Sequence, residues 1–227
     1  MTTLTSGIMI NRVIGLHFSP LGRTAKITER IVKEIAAELD RVMACDVVCE
    51  DYDLLDMITE SPEFGNDSIV VIGVPAHVGK IPMPAARVLN ELDGGGALAV
   101  TLVSYGTPTY GNALYELHNY AEENGFTVVG AGAFVTRHFR KDGIDRNGSD
   151  IEYAEILQEF CRAVSHKLKR LSGSEMEELR IKPAPLMIEG RMPIHKISRF
   201  SPRAAEVAEH TLERASAMIK RESEWFL

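Results

Sequence analysis

The sequence predicts a doubly wound α/β domain, a parallel sheet covered by helices on both faces. Three observations predict it. Five short apolar runs alternate with amphipathic segments, the run SIVVIG from Ser68 is apolar on both faces, and apolar residues fill 45% of the 227 positions. A sizeable core can therefore be buried.

Residues 12–18 form a β-branched and apolar run and read as the first strand. Residues 24–39 set Ile27, Ile31, Ile35 and Leu39 four apart, on one stripe of a helix. Residues 45–50 read as a second strand and 68–73 as a third, central one. A helix at 85–92, a strand at 98–104, a helix at 113–124, a strand at 127–135 and a helix at 151–171 complete the alternation. Right-handed crossovers follow, and ligands in this architecture sit outside the carboxyl ends of the strands. The loops after strands one, three and four thus hold the candidate chemistry. Beyond Leu171 a stretch with four prolines and little periodicity precedes a helical pattern over 203–224. Residues 1–172 therefore read as one domain. Residues 173–227 read as a linker and helical extension that packs on this domain or on a second copy in a homodimer.

Net charge is -7 with a pI near 5.6, which argues against nucleic acid as a partner, because neutralising phosphates needs clustered Lys and Arg. No apolar run approaches the roughly 20 residues a bilayer requires, and the start MTTLTSGIMINR has no basic segment ahead of a long apolar one. A cytoplasmic protein without a membrane partner is expected. Cys45, Cys49 and Cys161 match neither CxxC spacing nor a cluster site and are expected as reduced core residues. Cys45 and Cys49 share a strand parity, which leaves a redox pair conceivable.

The first loop is Ser19-Pro20-Leu21-Gly22-Arg23-Thr24. A phosphate there would meet backbone N–H groups and the positive end of a helix dipole. Gly22 permits close backbone approach, while Ser19 and Thr24 carry donor hydroxyls. The plainer reading is that Thr24 only caps the helix. This loop resembles the flavodoxin phosphate loop Ser/Thr-x-Thr-Gly-x-Thr: Ser19, Gly22 and Thr24 match, and Leu21 replaces a threonine.

Downstream, VVIGVPAHVGKIPMPAARVL, LVSYGTPTYGNALYEL and ENGFTVVGAGAFVTRHF resemble the flavodoxin-like half of bacterial flavodoxin/ferredoxin fusion proteins. The matching residues are Gly73 to Gly79 with Pro82, Tyr105-Gly106-Thr107, Ala113, Leu114, Glu116 and Leu117, and Gly125-Phe126. The resemblance spans about residues 13–171. It implies a flavodoxin-like doubly wound five-stranded sheet of order 2-1-3-4-5 that binds FMN. The phosphate would lie on Ser19, Leu21, Gly22, Arg23 and Thr24. The ring would lie between Pro75, Ala76, His77, Val78 and Gly79 on one loop and Ser104, Tyr105, Gly106 and Tyr110 on another. Gly79 and Gly106 would let backbone approach the ring edge, Tyr105 or Tyr110 would stack, and His77 stands where relatives often carry an aromatic.

The implied function is electron transfer or flavin oxidoreduction. Two alternatives stay open: an NAD(P)H-dependent FMN reductase of the same fold, and a flavin-free binding or assembly module. Where the fusion relatives begin their cluster cysteines, ISRFSPRAAEVAEHTLERASAMIK has none. Electrons would pass to a separate redox protein or a small-molecule acceptor, and an acidic surface would steer basic partners.

Other patterns carry less. Gly73 to Ile81 has five residues between its glycines and no hydroxyl for Mg²⁺, unlike a nucleotide P-loop. Gly130-Ala131-Gly132 lacks the third glycine of a dinucleotide fingerprint and reads as small residues packed under a helix. Ser104 with His77 or His138 lacks a nucleophile elbow. Glu50, Asp51, Asp53 and Asp56 follow the second strand and read as a solvated face.

Overall fold

The computed structural model describes residues 10–43, 46–58, 62–106, 109–136 and 149–172. Five parallel strands form one sheet in the order β2-β1-β3-β4-β5: β1 (Arg12–His17), β2 (Val48–Asp53), β3 (Ser68–Pro75), β4 (Leu98–Tyr105) and β5 (Thr127–Val135). The helices are α1 (Arg23–Met43), α2 (Met83–Glu91), α3 (Ala113–Glu123) and α4 (Ser149–Ser172). Strand order reverses between β1 and β3, which opens a crevice at their carboxyl ends. The expected extension over 173–227, with Cys45, Thr107 and His138, lies outside the described residues.

Alternation along the strands divides the core in two. Ile14, Leu16, Val70, Ile72 and Val74 face α2 and α3, where Leu89, Leu114 and Leu117 bury against them. Val13, Ile69, Val71, Val100 and Leu102 face α1 and α4. There the stripe Ile27, Ile31, Ile35 and Leu39 is buried, as its four-residue spacing requires. Gly130 and Gly132 lie under α4, where added methyl groups would press on Val164 and on Phe134 and Phe160.

The second strand differs from the expectation. It runs from Val48 to Asp53, so Asp51 and Asp53 lie within it instead of after it. As an edge strand it is only partly covered, and its polar side chains find local partners that an apolar-run criterion does not see. Arg12 Nε donates to Glu50 Oε1 at 2.7 Å, as does Tyr52 Oη to Oε2. The Arg12 guanidinium holds the Glu50 carboxyl below its ordinary range. Cys49 is exposed on this edge instead of lying in the core. Cys161 is buried as expected, and desolvation pushes its thiol up to about 12, far from a reactive thiolate.

Helix α1 approaches the sheet closely over two glycines. A methyl group on Gly15 would meet Asp51 Oδ1 at 2.6 Å and Val32 Cγ2 at 3.2 Å, and one on Gly73 would collide with Thr28 Oγ1. This contact fixes the height of the first loop above the sheet.

The loop after β3 is a two-residue hairpin. His77 N–H donates to Lys80 O at 2.7 Å and Lys80 N–H to His77 O at 3.1 Å, around Val78 (φ 51°) and Gly79 (φ 74°). Positive φ at both central residues is the type I′ arrangement, which favours Asn-Gly. Val78 is β-branched and 91% exposed, so its strain has no compensating contact among the described residues. The hairpin rests on the segment before α3: Gly111 approaches Gly79 backbone to backbone, and Asn112 N–H donates to Gly79 O at 2.8 Å.

Two outcomes follow in equilibrium unfolding. Gly73→Ala should destabilise the protein by about 1–3 kcal/mol through overpacking against Thr28. Val78→Asn should stabilise it by about 1 kcal/mol, raising Tm by roughly 2–4 °C, because Asn tolerates the left-handed conformation. An unchanged or lower Tm for Val78→Asn would contradict the turn geometry.

Candidate functional site

The β1–α1 loop begins with a tight turn: Gly22 N–H donates to Ser19 O at 2.9 Å, with Pro20 and Leu21 as its central residues. Gly22 takes φ 71°, and beyond its two chain neighbours a Cβ built on it meets nothing within 4 Å. Leu21 is 61% exposed. Ser19 Oγ accepts the Ala25 N–H at 2.9 Å and so caps α1. The expected capping role therefore belongs to Ser19, six residues back, and not to Thr24.

Thr24 does something else. Its Oγ1 lies 2.7 Å from Ser104 Oγ, and both residues are 3% exposed. Two hydroxyls sharing one hydrogen bond leave one O–H proton still to donate. Ser19, having accepted from Ala25, also keeps its own proton for donation. No acceptor among the described residues takes the backbone N–H of Leu21 or Thr24. Arg23 opens α1 and is partly buried. The loop thus gathers amide and hydroxyl donors at a helix N-terminus, a donor set suited to a phosphate dianion.

The remaining expected residues flank the same crevice. Pro75 ends β3 in register with Ser104, and Ala76 N–H donates to Ser104 O at 2.7 Å, which ties the loop after β3 to the end of β4. His77, exposed, Val78 and Gly79 form the hairpin. Tyr105 ends β4 with Gly106 next in the chain, and its ring meets that of Tyr110 edge-on at 5.3 Å. Both rings are partly buried. Gly79 O accepts the Asn112 N–H, and its positive φ serves the turn.

Three contributors lay outside the expected set: Asn112, Gly111 and Glu116. Glu116 belongs to the pattern Ala-Leu-x-Glu-Leu, yet a glutamate on a helix ordinarily reads as solvent-facing. Here it is 3% exposed, and its Oε2 accepts the Ile81 N–H at 3.1 Å.

The acidic group of β2 has partners of its own. Asp51 Oδ2 accepts from His17 Nε2 at 3.1 Å, and Asp53 Oδ1 accepts the Leu55 N–H at 2.9 Å. Among the described residues no three His, Cys, Asp or Glu side chains converge as metal ligands, and no helix is long and apolar enough to cross a membrane.

No family model matches the sequence, and no curated protein matches it. Solved structures do. An apo NADH:FMN oxidoreductase (EMOB) aligns with TM-score 0.51 and 18% identity over 74% of this chain and 92% of that one. An oxidoreductase from Corynebacterium diphtheriae gives 0.48 and 13% over 73% and 97%. A flavodoxin from the domain Archaea gives 0.40 and 17% over 68% and 99%. Five parallel strands ordered 2-1-3-4-5 with alternating helices, shared with the first of these structures, make the fold flavodoxin-like.

Proposed function

We propose that the chain binds FMN at the carboxyl ends of β1, β3 and β4 and works as an electron carrier or flavin oxidoreductase. One observation carries the proposal: the turn at Gly22 and the paired hydroxyls of Thr24 and Ser104 gather amide and hydroxyl donors at the start of α1. Ser19, Gly22, Arg23 and Thr24 would hold the phosphate. Pro75 to Gly79 would bound the ring on one side, and Tyr105, Gly106 and Tyr110 on the other. FMN supplies one- and two-electron chemistry when bound, and the protein's part is to place it and limit its contact with water. The fold neighbour described as an NADH:FMN oxidoreductase supports looking to a flavin first. The net charge of -7 suits a basic redox protein as partner, or a small-molecule acceptor.

The test is FMN titration of the purified protein, followed by gel filtration. Flavin fluorescence should change on binding, and visible absorption should travel with the protein. Gly22→Asp should weaken affinity by roughly 100-fold or more, since it sets an anion against the phosphate. Aspartate tolerates positive φ and finds open space there, so the fold should hold. Undiminished affinity in Gly22→Asp would move the phosphate off this loop. A protein that ignores FMN would support the flavin-free module instead.

A further inference from the structure

The hairpin after β3 is held from below by one buried carboxyl. Glu116 sits on the first turn of α3, inside the core, and its Oε2 takes the N–H of Ile81, the residue that follows the hairpin. Its other oxygen, Oε1, is buried and has no hydrogen-bond partner among the described residues. An ionised carboxylate in such a place lacks the several donors it normally gathers. A proton on Oε1 removes the charge and leaves Oε2 as a weaker acceptor for Ile81. The two protonation states therefore grip the hairpin differently, and among the described residues no cation forms an ion pair with the carboxylate.

We propose that Glu116 is a positioning residue: through Ile81 its carboxyl sets the seat of the 77–80 hairpin against Gly111 and Asn112, and its protonation state changes that seat. This rests on the reading of the crevice as a flavin site only for its consequence, which is that FMN affinity depends on the ionisation of Glu116.

The surroundings fit. Ile81 is buried beside it, so water cannot replace the lost bond. The titratable groups facing Glu116 are Lys80 on the hairpin and Tyr120 one turn further along α3, whose hydroxyl feels both Glu116 and Glu123. Desolvation raises the Glu116 carboxyl above its ordinary 4.5, against the smaller opposing effects of the Ile81 bond and Lys80. The folded protein thus keeps this proton at pH values where the unfolded chain has released it. The associated stability is complete below the ordinary carboxylate range and is lost as pH rises through the folded value.

The experiment begins without flavin. The amide NMR signals of Val78, Gly79, Lys80 and Ile81 are followed against pH in the wild type and in Glu116→Gln, whose amide keeps an oxygen for Ile81 but cannot ionise. In the wild type these amides should shift together, with one midpoint above 4.5, the ordinary value, and in Glu116→Gln that transition should vanish. Any contribution from His77 would persist in the variant and is separated thereby. Amides that ignore pH, or that titrate alike in both proteins, would overturn the proposal. If Glu116→Gln fails to fold, the side-chain carboxyl carbon of Glu116 in the wild type decides: its midpoint must coincide with that of Ile81. FMN affinity measured across the same pH range should then vary about threefold or more in the wild type and stay level in Glu116→Gln, a change on the scale of part of one hydrogen bond. Loss of FMN binding at every pH with the amide transition intact would reject the flavin reading and leave the positioning role standing. FMN affinity that is level with pH in the wild type would remove the proposed consequence.

Discussion

A hydrogen bond between two hydroxyls 80 residues apart, Thr24 at the start of α1 and Ser104 at the end of β4, organises the carboxyl edge of this sheet. It is buried, so breaking it would strand at least one polar atom away from water, at a cost of about 1–3 kcal/mol. It forms because α1 descends onto Gly15 and Gly73, which lack the side chains that would hold it off. The helix start, the turn before it and the neighbouring strand end therefore stand at fixed heights. The hydroxyls and amide groups of the first loop depend on that arrangement.

The second wall is built on a different principle. The hairpin at 77–80 sits on the chain before α3, where two glycines bring backbones into contact, and α3 reaches up with Glu116. One wall is a helix terminus set by small residues. The other is a turn with positive φ at both central residues, followed by Ile81, whose N–H meets a buried carboxyl group.

Much of the fold was legible in the sequence, because burial imposes periodicity. Ile27, Ile31, Ile35 and Leu39 announce one face of α1, and SIVVIG announces a strand covered on both sides. β2 was placed several residues early, since an edge strand keeps charged residues that bond to neighbours across the sheet. At the site, the first loop could be found from its glycine and hydroxyls, but Thr24 bonding to Ser104 could not. That pairing depends on the spacing of strands that one segment does not reveal. The Val-Gly turn carries none of the usual Asn-Gly signal. Glu116 was visible as a letter in a pattern, while its burial is a property of the packed helix.

Helix α4 gives the edge opposite the crevice its own importance. Phe160 meets Phe134 late in β5, Val164 lies near Gly130, and Lys167 Nζ donates to Val129 O near the strand's beginning. The helix runs against the strand direction and delivers the chain at Ser172 to the amino edge of the sheet. β5 spans nine residues, about 30 Å at 3.3 Å each. Ser172 thus stands on the side remote from the crevice, a strand's length from its rim.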